Sequence, residues 1–144
     1  MPCTFCRIVT GEVLAHVVHD DDVSLAFLDR RPLFPGHVLV IPKRHVETLP
    51  DLPSELVGPL FLRVRRLTEA VRLALDAPGA FVAVNNKVSQ SVPHLHVHIA
   101  PRRPKDGLRG FFWPRTSYPD EATAAATAAA VAAAAAGLGP EFAL

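Results

Sequence analysis

Residues 91 to 101 read SVPHLHVHIAP, with His94, His96 and His98 on alternate positions and Leu95, Val97 and Ile99 between them. Imidazole can ligate a metal, attack an electrophile or pass a proton near neutral pH, so three in register raise a question of chemistry. On a strand, alternate side chains share a face. The spacing therefore predicts the histidines on one side at intervals of roughly 6.6 Å and the apolar residues in the core. Two histidines at i and i+2 can chelate one zinc ion, but the first and third lie about 13 Å apart, too far to share a metal bonded at about 2 Å. Alternatively the histidines divide the work. A neutral imidazole nitrogen attacks phosphorus while an acceptor holds its other nitrogen, and a neighbouring histidine or hydroxyl steadies the phosphate and protonates what leaves. A solvated strand face is the plain third reading, and Gln90 and Ser91 in the adjoining loop weigh against it.

Cys3 and Cys6 are the only cysteines. A disulfide closing so short a loop stabilises little. In a reducing compartment C-x-x-C reads as half of a metal site or as a redox pair.

These residues need elements to hold them. AHVVH (15 to 19) and VSLAFL (23 to 28), separated by DDD, predict a hairpin, and GHVLVIP (36 to 42) a third strand ended by Pro42. From Ser54 the period changes: Leu60, Val64, Leu67, Val71 and Leu75 recur at helical steps, predicting an amphipathic helix of about six turns closed by APG at 77 to 79. AFVAVNN (80 to 86) and HLHVHIA (94 to 100) predict two more strands, paired antiparallel across a short polar loop. In the tail, Ser117 with Asp120 three residues on predicts a helix N-cap, with Pro119 in the first turn and Gly137 as the stop. Strands grouped around one long helix indicate an α+β fold.

The 144 residues suit one domain spanning 1–144, with a motif-bearing core at 3–103 and a tail with an alanine-rich helix at 104–144. A formal net charge of +1 leaves no nucleic-acid footprint. No export signal opens the chain, and the alanine run at 122–139 carries little transfer energy into a bilayer, so no membrane partner and a cytoplasmic location are expected.

HLHVHIA matches the alternating signature of the histidine triad superfamily. CTFCRIVTGEV, DDDVSLAFLDRRPLFPGHVLVIPKRH, VNN and QSVPHLHVHIAPR resemble further family segments in the same order, over residues 3 to 103. The resemblance implies a five-stranded antiparallel sheet with one long helix and a C-terminal helix, usually a homodimer. Such a protein binds a purine nucleotide or nucleotide conjugate and cleaves at the α-phosphorus. It implies His96 as the nucleophile forming a nucleotidyl-histidine, His37 as the supporting fourth histidine, and His98, Gln90 and Ser91 at the phosphate and leaving group. Asp29 would accept from the ribose hydroxyls and Asn85 would lie on the phosphate side. Such roles suit a diol, which needs an acceptor, and a phosphate, which needs donors. The same resemblance makes Cys3, Cys6, His45 and His94 a closed structural zinc site; a side-chain nucleophile does not strictly require a catalytic metal.

Several features depart from that pattern or lie outside it. NKVSQ (86 to 90) replaces the family's glycine-rich stretch. Trp113 is expected either to close over the site or to pack in a core or interface. His16 and His19 match no functional position, and Lys43, Lys87, Arg102, Arg103 and Lys105 supply positive potential without an assigned role. Two rival readings remain at this level: a nucleotide-binding interaction module without turnover, and a zinc hydrolase that uses the histidines as ligands.

Overall fold

The first element is one the apolar pattern does not announce. The residues after Cys3 coil into a short helix, α1 (Thr4–Val9), with Cys3 at its N-cap, Cys6 within it and Phe5 as its one buried residue. The expected hairpin follows as β1 (Val17–Asp20) and β2 (Ser24–Leu28), antiparallel. Its turn is held by Asp21, whose Oδ1 accepts from the N–H groups of Val23 and Ser24 at 2.9 Å, while His19 and Arg63 meet Oδ2 at 2.9 and 2.6 Å. Those bonds hold the Asp21 carboxyl far below the usual carboxylate range although burial opposes them.

Next come β3 (Val38–Pro42), the helix α2 (Ser54–Ala74), β4 (Gly79–Val84) and β5 (Val97–Arg102). The five strands form one sheet in the order β1-β2-β3-β5-β4, every neighbouring pair antiparallel. The α+β class and the single long helix are as the periodicity predicts. On one face, Leu60, Val64, Leu67 and Val71 of α2 pack on Val38, Val40, Leu95, Val97 and Ile99. Each large aliphatic buried this way contributes roughly 2 kcal/mol. On the other, Phe5 covers Leu25, Phe27, Leu39 and Ile41.

The last strand is displaced from its expected position: it starts at Val97 rather than His94. The backbone before it is committed elsewhere, with His94 N–H bonded to Val92 O and Leu95 N–H to Val46 O, each at 2.8 Å. The strand also runs past Pro101, because its ladder with β3 ends at Ile99 and only β4 continues beside it.

Residues 3–109 and 116–144 are described, and Trp113 lies outside them. The chain divides into two compact units, one ending at Asp106 and the other beginning at Gly107. In the second, α3 (Glu121–Ala136) takes Asp120 as its N-cap, the carboxylate accepting from Thr123 N–H at 2.6 Å. This corrects the expected Ser117 cap. The carboxylate reaches the third helical N–H, so the helix begins after Pro119 rather than around it.

Candidate active site and metal centre

Although only His98 lies within β5, the alternation holds along the whole stretch. Leu95, Val97 and Ile99 are buried against α2, while His94 and His96 meet Phe5 of α1 and His98 meets His96. That face is not solvated: His94 is 0% and His96 3% exposed.

Hydrogen bonds dictate which nitrogens carry protons. His96 Nδ1 lies 2.7 Å from the His94 carbonyl oxygen. A carbonyl only accepts, so the proton is on Nδ1 and the lone pair of neutral His96 is on Nε2. His37 Nδ1 lies 3.0 Å from Leu33 N–H, which only donates, so His37 carries its proton on Nε2. That Nε2–H donates to His98 Nδ1 at 3.0 Å, which leaves the His98 proton on its own Nε2. The His98 ring stands 4.9 Å from the His96 ring. The site thus juxtaposes a bare nitrogen and an N–H donor. Burial favours the neutral form of two of these rings: it lowers His37, and it pushes His98 down to about 4, with the neighbouring His96 and His37 acting the same way on His98.

Asp29 closes this end of the site. Its Oδ1 accepts from Arg31 N–H at 2.9 Å, the turn role open to any aspartate before a loop. Its Oδ2 lies 3.7 Å from His37 Nε2, beyond a hydrogen bond and available to a further donor. Asp29, His37 and His98 also bring possible ligand atoms within 4.8 Å of one another. The proton on His37 Nε2 removes the lone pair a metal would need there, so the proton chain excludes a metal held by these three.

Cys3, Cys6, His45 and His94 form the second cluster. His94 Nε2–H donates to the Pro42 carbonyl at 2.8 Å, which leaves Nδ1 with its lone pair. Around that Nδ1 stand Cys3 Sγ at 3.5 Å, Cys6 Sγ at 3.6 Å and His45 Nδ1 at 3.2 Å, with Cys6 Sγ 3.3 Å from His45 Nδ1. A tetrahedral zinc with bonds of about 2.0 to 2.3 Å sets donor–donor edges of roughly 3.3 to 3.8 Å. The donor set and its edges therefore fit zinc. Burial and the adjacent Cys3 raise the Cys6 thiol, and a cation between the sulfurs would reverse that.

The loop after β4 is more self-contained. Gln90 Nε2 donates to Glu47 O at 2.6 Å, and its Oε1 accepts from Lys87 N–H at 2.8 Å. Asn85 Nδ2 donates to Ser89 O at 3.3 Å. Without glycine, this loop places Lys87 and Ser89 at φ of 68° and 59°, a left-handed conformation that costs a non-glycine residue roughly 1 kcal/mol or more. Ser91 lines a cavity of about 620 Å³ with Cys3, Cys6, His45 and Glu47. Several cations noted in the sequence are paired: Lys43 with Asp20, Lys87 with Glu47 and Arg102 with Asp106.

Sequence reasoning missed Phe5, the Leu33 N–H and the carbonyls of Pro42 and His94. Backbone groups leave no trace in residue types. Phe5 does leave one: it is an apolar residue set between two candidate ligands.

A family model described as HIT domain matches residues 10–105. The adenosine 5'-monophosphoramidase hnt1 of Schizosaccharomyces pombe is 34% identical over 122 residues, 83% of this chain and 86% of that protein. The adenylylsulfatase HINT3 of Arabidopsis thaliana is 36% identical over 108 residues, 74% of this chain and 55% of that one. A solved structure of a Zn-bound histidine triad family protein from Mycobacterium smegmatis superposes with a TM-score of 0.71 at 36% identity, covering 96% of this chain and 99% of that chain.

Proposed function

The chain belongs to the HIT domain family, and from that premise we propose that it is a nucleotide hydrolase or nucleotidyl transferase acting at an α-phosphorus through His96. The observation that carries this reading is the pair of fixed protons. His96 presents an unprotonated Nε2, held by its Nδ1–H on the His94 carbonyl, beside a His98 whose Nε2 bears hydrogen. In the first step His96 Nε2 forms a bond to phosphorus and the bond to the leaving group breaks. His98 Nε2–H donates to the departing atom and gives it the proton with which it leaves; the water that attacks in the second step returns a proton to His98 Nε2. Water, or another acceptor, then takes the nucleotidyl group and returns His96 to its starting state. His37 keeps His98 in the donating tautomer and Asp29 Oδ2 accepts from a ribose hydroxyl; Asn85 and Gln90 would reach the phosphate and leaving group by exchanging their bonds to Ser89 O and Glu47 O, and Ser91 by turning from the cavity it lines with Cys3 and Cys6.

Relatives named as a phosphoramidase and an adenylylsulfatase support substrates that share a purine nucleotide and differ in what leaves. Nucleoside phosphoramidates, adenylylated conjugates and dinucleoside polyphosphates all fit that description. The zinc proposal rests on the donor edges around His94, with four protein ligands and no open position, hence a structural role. A homodimer is proposed on the uncharged outer strand β4.

The test is release of AMP from adenosine 5'-phosphoramidate by the wild type and by His96→Ala. Turnover is expected to fall by about 10³-fold or more in the variant; equal release from both would sink the nucleophile assignment.

A further inference from the structure

The sulfurs of Cys3 and Cys6 lie 3.5 and 3.6 Å from His94 Nδ1, and Phe5, one of the two residues between them, is buried. Phe5 is 7% exposed and is the only buried residue of α1. It meets three rings edge to face: Phe27 at 5.3 Å and 72°, His94 at 5.9 Å and 65°, and His96 at 5.2 Å and 89°. His96 is held at one further point by its Nδ1–H on the His94 carbonyl, and it meets His98 on another side.

An imidazole turns about χ2 in a broad, roughly two-fold well, and half a turn swaps Nδ1 with Cδ2 and Nε2 with Cε1. One hydrogen bond resists that turn only while the ring plane stays aligned with the carbonyl. A ring packed perpendicular to the imidazole blocks the swing that breaks the alignment. We propose that Phe5 is a positioning residue for His96: it holds the imidazole plane so that Nδ1–H stays on the His94 carbonyl and Nε2 stays aimed into the site. The inference rests on the reading of His96 as the nucleophile. Its structural premise is independent of that reading, because the contact also links α1, which has candidate metal ligands at its N-cap (Cys3) and within it (Cys6), to the ring that lies between His94 and His98. A displacement of about 1 Å at a reacting group costs on the order of 100-fold in rate, so a ring free to swing should show itself in kcat rather than in KM.

The experiment uses Phe5→Leu, which keeps most of the apolar volume but no ring, and Phe5→Ala. Both are purified with their metal content measured and compared with wild type. Ring 15N spectra of His96, assigned by their loss in His96→Ala, report which nitrogen is protonated; steady-state kinetics use adenosine 5'-phosphoramidate. Wild type should show a single Nδ1–H tautomer. Phe5→Leu should keep its metal and melting temperature close to wild type, with the two His96 nitrogens moving toward averaged shifts. Its kcat should fall by about tenfold or more while KM stays within about twofold. If Phe5→Ala fails to fold, Phe5→Leu decides the matter alone. An unchanged His96 spectrum in Phe5→Leu, or a raised KM with unchanged kcat, overturns the proposal. Failure of the catalytic reading is a separate outcome, seen as full turnover by His96→Ala, and it leaves the ring spectra to judge Phe5.

Discussion

The residues of this site differ in role because their second nitrogens have different partners. His94 spends Nε2–H on Pro42 O and His96 spends Nδ1–H on His94 O, so three imidazoles two residues apart present different atoms. Two predictions belong here. Cys3→Ser should remove bound zinc, and His98→Ala should retain it, as measured by elemental analysis of purified protein; the opposite pattern would move the metal to the other cluster. The second concerns acid. An unfolded His98 titrates near 6.5, whereas the folded residue stays neutral down to about 4, and His37 is shifted in the same direction. As pH falls from 6.5 to 4 the unfolded chain binds protons that the folded one refuses. Stability is therefore full above 6.5, declines through that window and levels below it. His98→Asn should flatten the decline measured by urea unfolding at pH 7 and 4.5 by roughly 1 to 2 kcal/mol, allowing for partial exposure. Identical slopes would contradict the burial argument.

At the level of elements, the apolar periods placed the hairpin, α2 and the β4 and β5 pair, since burial against one core imposes those periods directly. They did not reveal α1, which is six residues long with one buried side chain, too short to show a period. Nor did they show that β5 begins at Val97, because the bond from Leu95 N–H to Val46 O joins residues 49 apart. The segment before β3 also carries a constraint. Gly36 has φ of +96°, and a Cβ there would lie 2.6 Å from Leu75 Cδ2, just past the end of α2. Gly36→Ala should cost about 2 kcal/mol in urea unfolding, from the left-handed backbone and the displaced leucine. It should also lower kcat, since His37 follows directly and its Nε2–H must reach His98. Wild-type stability in this variant would show that the turn relaxes freely.

For the molecule as a whole, the open feature is the sheet edge. β4 closes one end of the sheet, reads GAFVAV without a charge, and includes Val82 at 43% exposure. Natural edge strands usually carry charges or bulges that discourage pairing, and this one carries no charge. The proposed homodimer would be joined along this edge. Light scattering should give twice the chain mass for wild type, and Val82→Lys should shift it toward the monomer; a monomeric wild type would end the proposal. Among the described residues no helix is long and apolar enough to cross a membrane.

The sequence by itself determined the fold class, the alternation that turns the histidines away from the core, and the exclusion of one metal shared by the first and third. Each follows from local periodicity and bond lengths, which need no knowledge of distant residues. Membership in the family was legible from motif order, and with it came the expected ligands and nucleophile. Only the tertiary structure decided the protonation pattern, because Leu33 N–H, Pro42 O and His94 O are backbone groups whose direction depends on the folded chain. It alone brought Cys3 and Cys6 to His45 and His94 across 39 to 91 residues, and set Phe5 against His96. Proton positions and ring contacts arise from approach in space, and residue order carries no direct record of that.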